Sequence, residues 1–291
     1  MSNETHPLAE IFGFPAENRS LVATRYRSGK LCPFNNKVPN CTKDKANDPL
    51  GVCSVFHDGH TAITCPVRFR EDWIITIDSA DFFFPPETRW TSLTEVQLKD
   101  RNGKSAGNID IVLVAYDRQG QVVDFGAIEI QGVYISGNIR RPFEAFMENV
   151  SLAETLQWRG EKNYPRPDYL SSSRKRLAPQ LLYKGGILNR WKKKTAVVLD
   201  RGFFESLPTL REVSKAEADI AWLVYDLADD PEAQRFRLTL SQTVYTRFSD
   251  SLAQITLSEA GEIDEFVSVL QNKLDDKLNT EPVNKTLDEM N

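Results

Sequence analysis

Asn108-Ile109-Asp110-Ile111-Val112-Leu113-Val114-Ala115, Asp117-Arg118-Gln119-Gly120-Gln121 and Phe125-Gly126-Ala127-Ile128-Glu129-Ile130-Gln131 together decide the fold. The first and last segments read as strands, and the middle one as the tight turn of a hairpin. Alternation with period 2 puts Glu129 and Gln131 on one face and Ile128 and Ile130 on the other. A buried strand rarely carries two polar side chains unless something binds there. Asp110 lies near the start of the partner strand. Adjacent strands that offer carboxylates to one cleft can hold a divalent cation.

Outward from the hairpin, Ser92-Leu93-Thr94-Glu95 matches a capping box and predicts a helix through Leu98. Apolar spacing predicts helices over 142–158, 170–184, 208–217 and 262–280, and a short helical turn at 7–14. Thr195–Asp200 and Ile220–Leu227 read as buried strands, with 234–240 as an edge strand. This order predicts an α/β fold, a mixed β-sheet flanked by helices. Three segments are expected: a four-cysteine module over 1–72, the sheet domain over 73–257, and an acidic helix and tail over 258–291.

The chain has 291 residues, 41% apolar and 26% charged, which is ordinary for a globular protein. No apolar run is long enough to span a bilayer. Met1–His6 carries no apolar signal stretch, so a cytoplasmic protein is expected. The net charge is −5, but unevenly spread. Residues 258–291 carry −6, whereas 139–201 carry +8. That basic stretch follows the hairpin directly and points to a phosphate-bearing partner such as double-stranded DNA. Arg140, Arg141, Arg174, Lys175, Arg176 and Gln180 are its candidate contacts.

All four cysteines, Cys32, Cys41, Cys53 and Cys65, fall in one short window. Disulfides, a four-thiolate metal site or free thiols in a small core would explain the clustering, and disulfides are disfavoured without a secretory signal. The spacing is not that of paired C-x-x-C motifs. Iron or zinc suits a set of thiolates, and a closed site of this kind is structural. His57 and His60 read as surface loop residues.

The series Glu95, Asp110 and Glu129-Ile130-Gln131 resembles the active site of the PD-(D/E)xK nuclease superfamily. The closer resemblance is to NotI-type Type II restriction endonucleases. It rests on Ala9-Glu10-Ile11-Phe12-Gly13, Cys32-Pro33-Phe34, Cys41, Gly51-Val52-Cys53, Cys65-Pro66 and Phe125–Gln131, with Gln131 where related strands carry lysine. It covers roughly residues 8–257, and Gly132–Tyr169 departs most. The resemblance implies a restriction-endonuclease-like core with an N-terminal four-cysteine module. It implies that Asp110, Glu129 and the Ile130 carbonyl bind Mg²⁺, that Glu95 assists, and that Gln131 orients the attacking water. It further implies one structural iron or zinc per chain on Cys32, Cys41, Cys53 and Cys65. The expected activity is Mg²⁺-dependent cleavage of double-stranded DNA at a palindrome by a homodimer, leaving 5′ phosphates. A cognate DNA methyltransferase is expected as a functional partner, not a bound one. The neutral Gln131 keeps an alternative open, a metal-stapled DNA-binding protein that does not cleave. A third reading is a metal-dependent enzyme acting on something other than DNA.

Overall fold

The computed structural model describes residues 6–35, 38–45, 47–151, 158, 160–257 and 260–280. Strands β1 (Leu8–Ile11) and β2 (Phe14–Pro15) flank a tight reversal at Phe12-Gly13. Gly13 has φ +82°, and a Cβ there would sit 2.3 Å from the Pro33 ring, so only glycine fits. The helical turn expected over 7–14 is therefore replaced by strands. Leu8 to Ile11 are buried on both faces, so the run carries no alternation to read. Helix α1 (Leu21–Ser28) starts where the Ser20 hydroxyl accepts the Ala23 N–H. A minimal hairpin, β3 (Asp44–Lys45) and β4 (Asp48–Pro49), precedes β5 (Val52–His57) and β6 (His60–Ile63). The N-terminal sheet has the order β2-β1-β5-β6.

Turns of 3₁₀ type at Pro66–Trp73 lead into α2 (Ile74–Phe83), an apolar helix that lies on the next sheet. That sheet begins with β7 (Trp90–Lys99), β8 (Ser105–Tyr116) and β9 (Val122–Gln131). A ribbon of β10 (Tyr134–Ser136) and β11 (Arg166–Asp168) flanks α3 (Arg140–Glu148). Next come a long helix over 169–190, here α4, then β12 (Thr195–Asp200) and α5 (Arg201–Glu205). Strands β13 (Ile220–Asp230) and β14 (Arg235–Thr246) and helix α6 (Phe248–Thr256) complete this unit. The order of the six strands is β14-β13-β12-β9-β8-β7. The pairs β9–β12 and β12–β13 are parallel, and the others antiparallel. This is the mixed α/β sheet flanked by helices that the sequence predicts.

Period 2 divides the core between the two faces. Ile111, Leu113, Ile128, Ile130, Val198 and Leu223 pack with Ile75, Phe82 and Phe83 of α2. Val197, Leu199, Trp222 and Val224 pack with Leu177 and Leu181 of α4 and with Phe248 of α6. Gly126 lies under the Phe83 ring, where a Cβ would come within 2.3 Å. Burial of this paired set is the main stabilising term of the sheet.

Three expected helices change. Glu95 lies on strand β7, not on a helix. The local capping-box signal loses to a ladder along the whole of β8, and β7 alternates in burial as a half-exposed edge strand should. The stretch 208–217 is extended and turned, and is held to β14 by Val213 N–H to the Tyr245 carbonyl. Helix α3 ends at Glu148, and residues 152–157 of the expected 142–158 helix lie outside the described residues. Residues from 257 onward form a separate unit containing α7 (Ile263–Thr280).

Asp200 closes β12 and caps α5, accepting the Phe203 N–H at 2.9 Å. Burial pushes its carboxyl up to about 7, outweighing the Phe203 and Ile63 backbone donors, while Asp226 and Glu205 add to the rise. The folded protein therefore holds this proton more tightly than the unfolded chain. Its stabilising contribution is full in acid and is lost as pH climbs from about 4 to about 7. Asp200→Asn keeps the cap but not the titration. In unfolding midpoints measured across this range, the variant should gain on the parent as pH rises and level off above about 7. Parallel curves would refute this.

Candidate active site

Strand register brings the carboxylates together. The last paired positions of β8 and β9 are Ile111 and Ile128, and Asp110 and Glu129 come one step beyond them. Asp110 Oδ2 accepts the Ile130 N–H at 2.7 Å, which fixes its side chain across the hairpin. Glu129 is 4% exposed and Gln131 1%. Glu95 lies opposite Asp110 on β7, between the pairs Thr94–Ile111 and Val96–Ile109. Its φ is +57°, a left-handed conformation on an edge strand. Its carboxylate is half-exposed and lies 3.7 Å from Arg70 Nη2.

Helix α4 completes the site. Gln131 Nε2 donates to Gln180 Oε1. Lys184 Nζ donates to Glu129 Oε2 at 2.5 Å and to the Asn108 carbonyl at 2.8 Å. The match is geometric. Alternate residues of a strand share one face, and residues about one turn apart share one face of a helix. Glu129 and Gln131 therefore meet Lys184 and Gln180 as a two-rung ladder. Two π-helical stretches, Ser173–Leu177 and Leu181–Gly185, flank Pro179 in α4. Ahead of Pro179, the Ala178 N–H reaches back five residues to Ser173, so the helix widens rather than breaks at the missing donor.

Charge is concentrated here. Burial raises the Asp110 carboxyl, opposed by the Ile130 N–H and Lys184, with Glu95 adding to the rise. Burial pushes Glu129 up to about 8, Asp110 reinforces this, and Lys184 opposes it. Glu129 Oε1 is buried without a hydrogen-bond partner. A buried, unpartnered carboxylate oxygen beside a second carboxylate is a donor set suited to a hard cation. Even so, no three His, Cys, Asp or Glu side chains converge at metal-binding geometry among the described residues.

The cysteines gather in two backbone-linked pairs. Around the Leu31–Asn40 bridge, Cys32 N–H donates to the Pro39 carbonyl and Cys41 N–H to that of Lys30. Cys65 N–H donates to the Cys53 carbonyl. All four are free thiols. Burial pushes the Cys32 thiol up to about 11, and Cys65 and Cys41 add to it. Beside them Lys43 Nζ donates to the Val52 carbonyl and the Thr64 hydroxyl.

The basic residues divide. Arg140 pairs with Asp44 at 2.6 Å and Asp48 at 2.9 Å, tying α3 to the β3–β4 hairpin. Arg141 pairs with Glu161 and covers the Trp158 ring. Arg174, Lys175 and Arg176 are exposed on α4, with Arg176 over Tyr134. Gln180 faces Gln131 instead. Sequence reasoning missed Lys184. The available signal was its four-residue spacing from Gln180, which matches the two-residue spacing of Glu129 and Gln131.

A hairpin that sets two carboxylates before a buried lysine, on a mixed sheet, has the make-up of a hydrolytic site. Comparison with protein families gives the class, a restriction endonuclease. The family described as restriction endonuclease NotI matches residues 17–238, and the chain belongs to it. It is accordingly a Type II site-specific deoxyribonuclease acting on DNA, and the non-cleaving alternative is set aside. No curated protein matches the chain. No helix among the described residues is long and apolar enough to cross a membrane.

Proposed function

We propose that this endonuclease cuts both strands of a palindromic DNA site as a Mg²⁺-dependent homodimer. One observation carries the reading: Asp110 and Glu129 meet on adjacent strands while Glu129 Oε1 stays buried and unpartnered. Asp110, Glu129 and the Ile130 carbonyl would hold the ion. Bound Mg²⁺ supplies a Lewis acid that polarises the phosphodiester and acidifies a water. Gln131 is neutral and cannot serve as a general base. Its amide, oriented by Gln180, orients the water instead. Glu95 adds negative charge at the open edge of the site. Arg174, Lys175 and Arg176 carry charge towards DNA phosphates, and Arg140 and Arg141 tie α3 to the β3–β4 hairpin and to Glu161. A two-fold protein matches a two-fold site, with one cut per subunit.

Digestion of phage DNA with Mg²⁺ tests this reading. Discrete fragments are expected, with ends placed symmetrically on the two strands and phosphate at the 5′ end. Ends without symmetry, or cutting that persists in EDTA, would sink it.

We further propose one iron or zinc per chain on Cys32, Cys41, Cys53 and Cys65. Four free thiols in one neighbourhood are the right donors, and metal uptake would draw the sulfurs into a tetrahedron. Elemental analysis should find about one such metal per chain, and Cys53→Ser should lose it together with several degrees of melting temperature. Four thiols that titrate freely in the folded protein would refute the site.

A further inference from the structure

Helix α4 delivers the only cation paired with Glu129 among the described ion pairs. Lys184 is 5% exposed, in a site that holds Asp110 and Glu129, with Glu95 adjoining. Cleavage brings a further anion there, the scissile phosphate. The strand itself offers no compensating charge, because Gln131 is neutral and already engaged with Gln180.

We propose, on the nuclease reading above, that Lys184 is a positioning residue that supplies from α4 the positive charge the E-x-Q strand lacks. By taking Glu129 Oε2 it leaves Oε1 for the metal. Its ammonium offsets the excess of carboxylate charge against the incoming phosphate.

Three variants test this: K184Q, K184M and the double variant Q131K/K184Q, which moves the amine onto the strand. K184Q keeps an N–H donor towards Glu129 and Asn108, so it carries the test if K184M fails to fold. Three quantities are measured: single-turnover cleavage in Mg²⁺, DNA affinity in Ca²⁺, and Mn²⁺ binding by calorimetry without DNA.

K184Q should cut about 100-fold more slowly. Its DNA affinity in Ca²⁺ should stay within about threefold of the parent, since few phosphate contacts change. Its Mn²⁺ affinity should rise by about threefold to tenfold, because a competing cation has gone. A role confined to bracing Glu129 predicts weaker Mn²⁺ binding. The double variant should recover at least about tenfold in rate and return towards the parent's Mn²⁺ affinity.

The proposal falls if K184Q cuts within about threefold of the parent, if its Mn²⁺ binding weakens, or if relocating the amine restores nothing. If the parent itself does not cut with Mg²⁺, the proposed Mg²⁺ site falls, and the direction of the Mn²⁺ shift still decides the role of Lys184.

Discussion

Asp110→Asn is expected to lower DNA cleavage by on the order of 1000-fold while leaving the fold intact. The substitution is isosteric, and the new amide oxygen can still accept the Ile130 N–H that Asp110 Oδ2 accepts at 2.7 Å. What disappears is the negative charge facing Glu129 across the hairpin. Two effects follow. Mg²⁺ loses a charged ligand, and Glu129 loses the neighbour that adds to the upward push on its carboxyl. Affinity for specific DNA in Ca²⁺ should stay close to the parent's or rise, because a charge that repels phosphate has been removed. Single-turnover cleavage and gel-shift titration separate the outcomes. Unchanged cleavage by a well-folded Asp110→Asn protein would remove Asp110 from the metal site. An unfolded variant would show instead that the cross-hairpin hydrogen bond is structural, and the melting curve detects this directly.

Arg68→Met should destabilise the protein by about 3–5 kcal/mol, the cost of leaving buried carboxylates without their partner. Arg68 is fully buried. Its Nε lies 2.9 Å from Glu10 Oε1, its Nη1 lies 2.9 Å from Glu71 Oε2, and its Nη2 donates to the Phe236 carbonyl. Its guanidinium covers the Phe34 ring. The Ser54 hydroxyl also donates to Glu10, and the Leu238 N–H to Glu71. One side chain thus joins the N-terminal sheet, the 3₁₀ turns and β14. Burial already raises the Glu10 carboxyl, and Arg68 is the main force opposing that rise. Without Arg68 both carboxyl groups are left in the interior without their buried cation. At about 2–4 °C per kcal/mol for a unit of this size, the melting temperature should drop by at least about 6 °C. A drop of less than about 2 °C would mean that water reaches Glu10 and Glu71. The loss should also be larger at alkaline than at mildly acid pH, because a protonated Glu10 needs no cation.

The hairpin was legible because its determinants are local. Period 2 alternation through Ala127–Gln131, the apolar run Ile111–Ala115 behind Asp110, and the Asp117–Gln121 turn with Gly120 at φ +79° need no distant partner. Thr195–Asp200 and Ile220–Leu227 were legible as continuous apolar runs, the mark of parallel strands covered on both faces. The Ser92–Glu95 box misled because it is equally local, whereas the ladder that overrides it is not. Leu8–Ile11 misled because a strand buried on both faces and a helical turn look alike over four residues. Lys184 was illegible for a third reason. Its role depends on where a helix lands on a sheet, and no spacing within 169–190 reveals that without the strand beneath it. Arg140 shows the same limit from the other side: its pairing with Asp44 and Asp48 depends on a hairpin that nothing in its own segment reveals.

The two-rung match between α4 and β9 makes length, rather than composition, the sensitive variable in this part of the chain. Most side chains between Gln180 and Lys184 could change without moving either rung. Deleting one residue there would rotate Lys184 away from the sheet and leave Glu129 unpaired. The π-helical stretch Ser173–Leu177 is where a change in count upstream of Gln180 can be absorbed. Homologues should therefore differ freely in the letters of this helix while keeping the interval between its two polar rungs fixed.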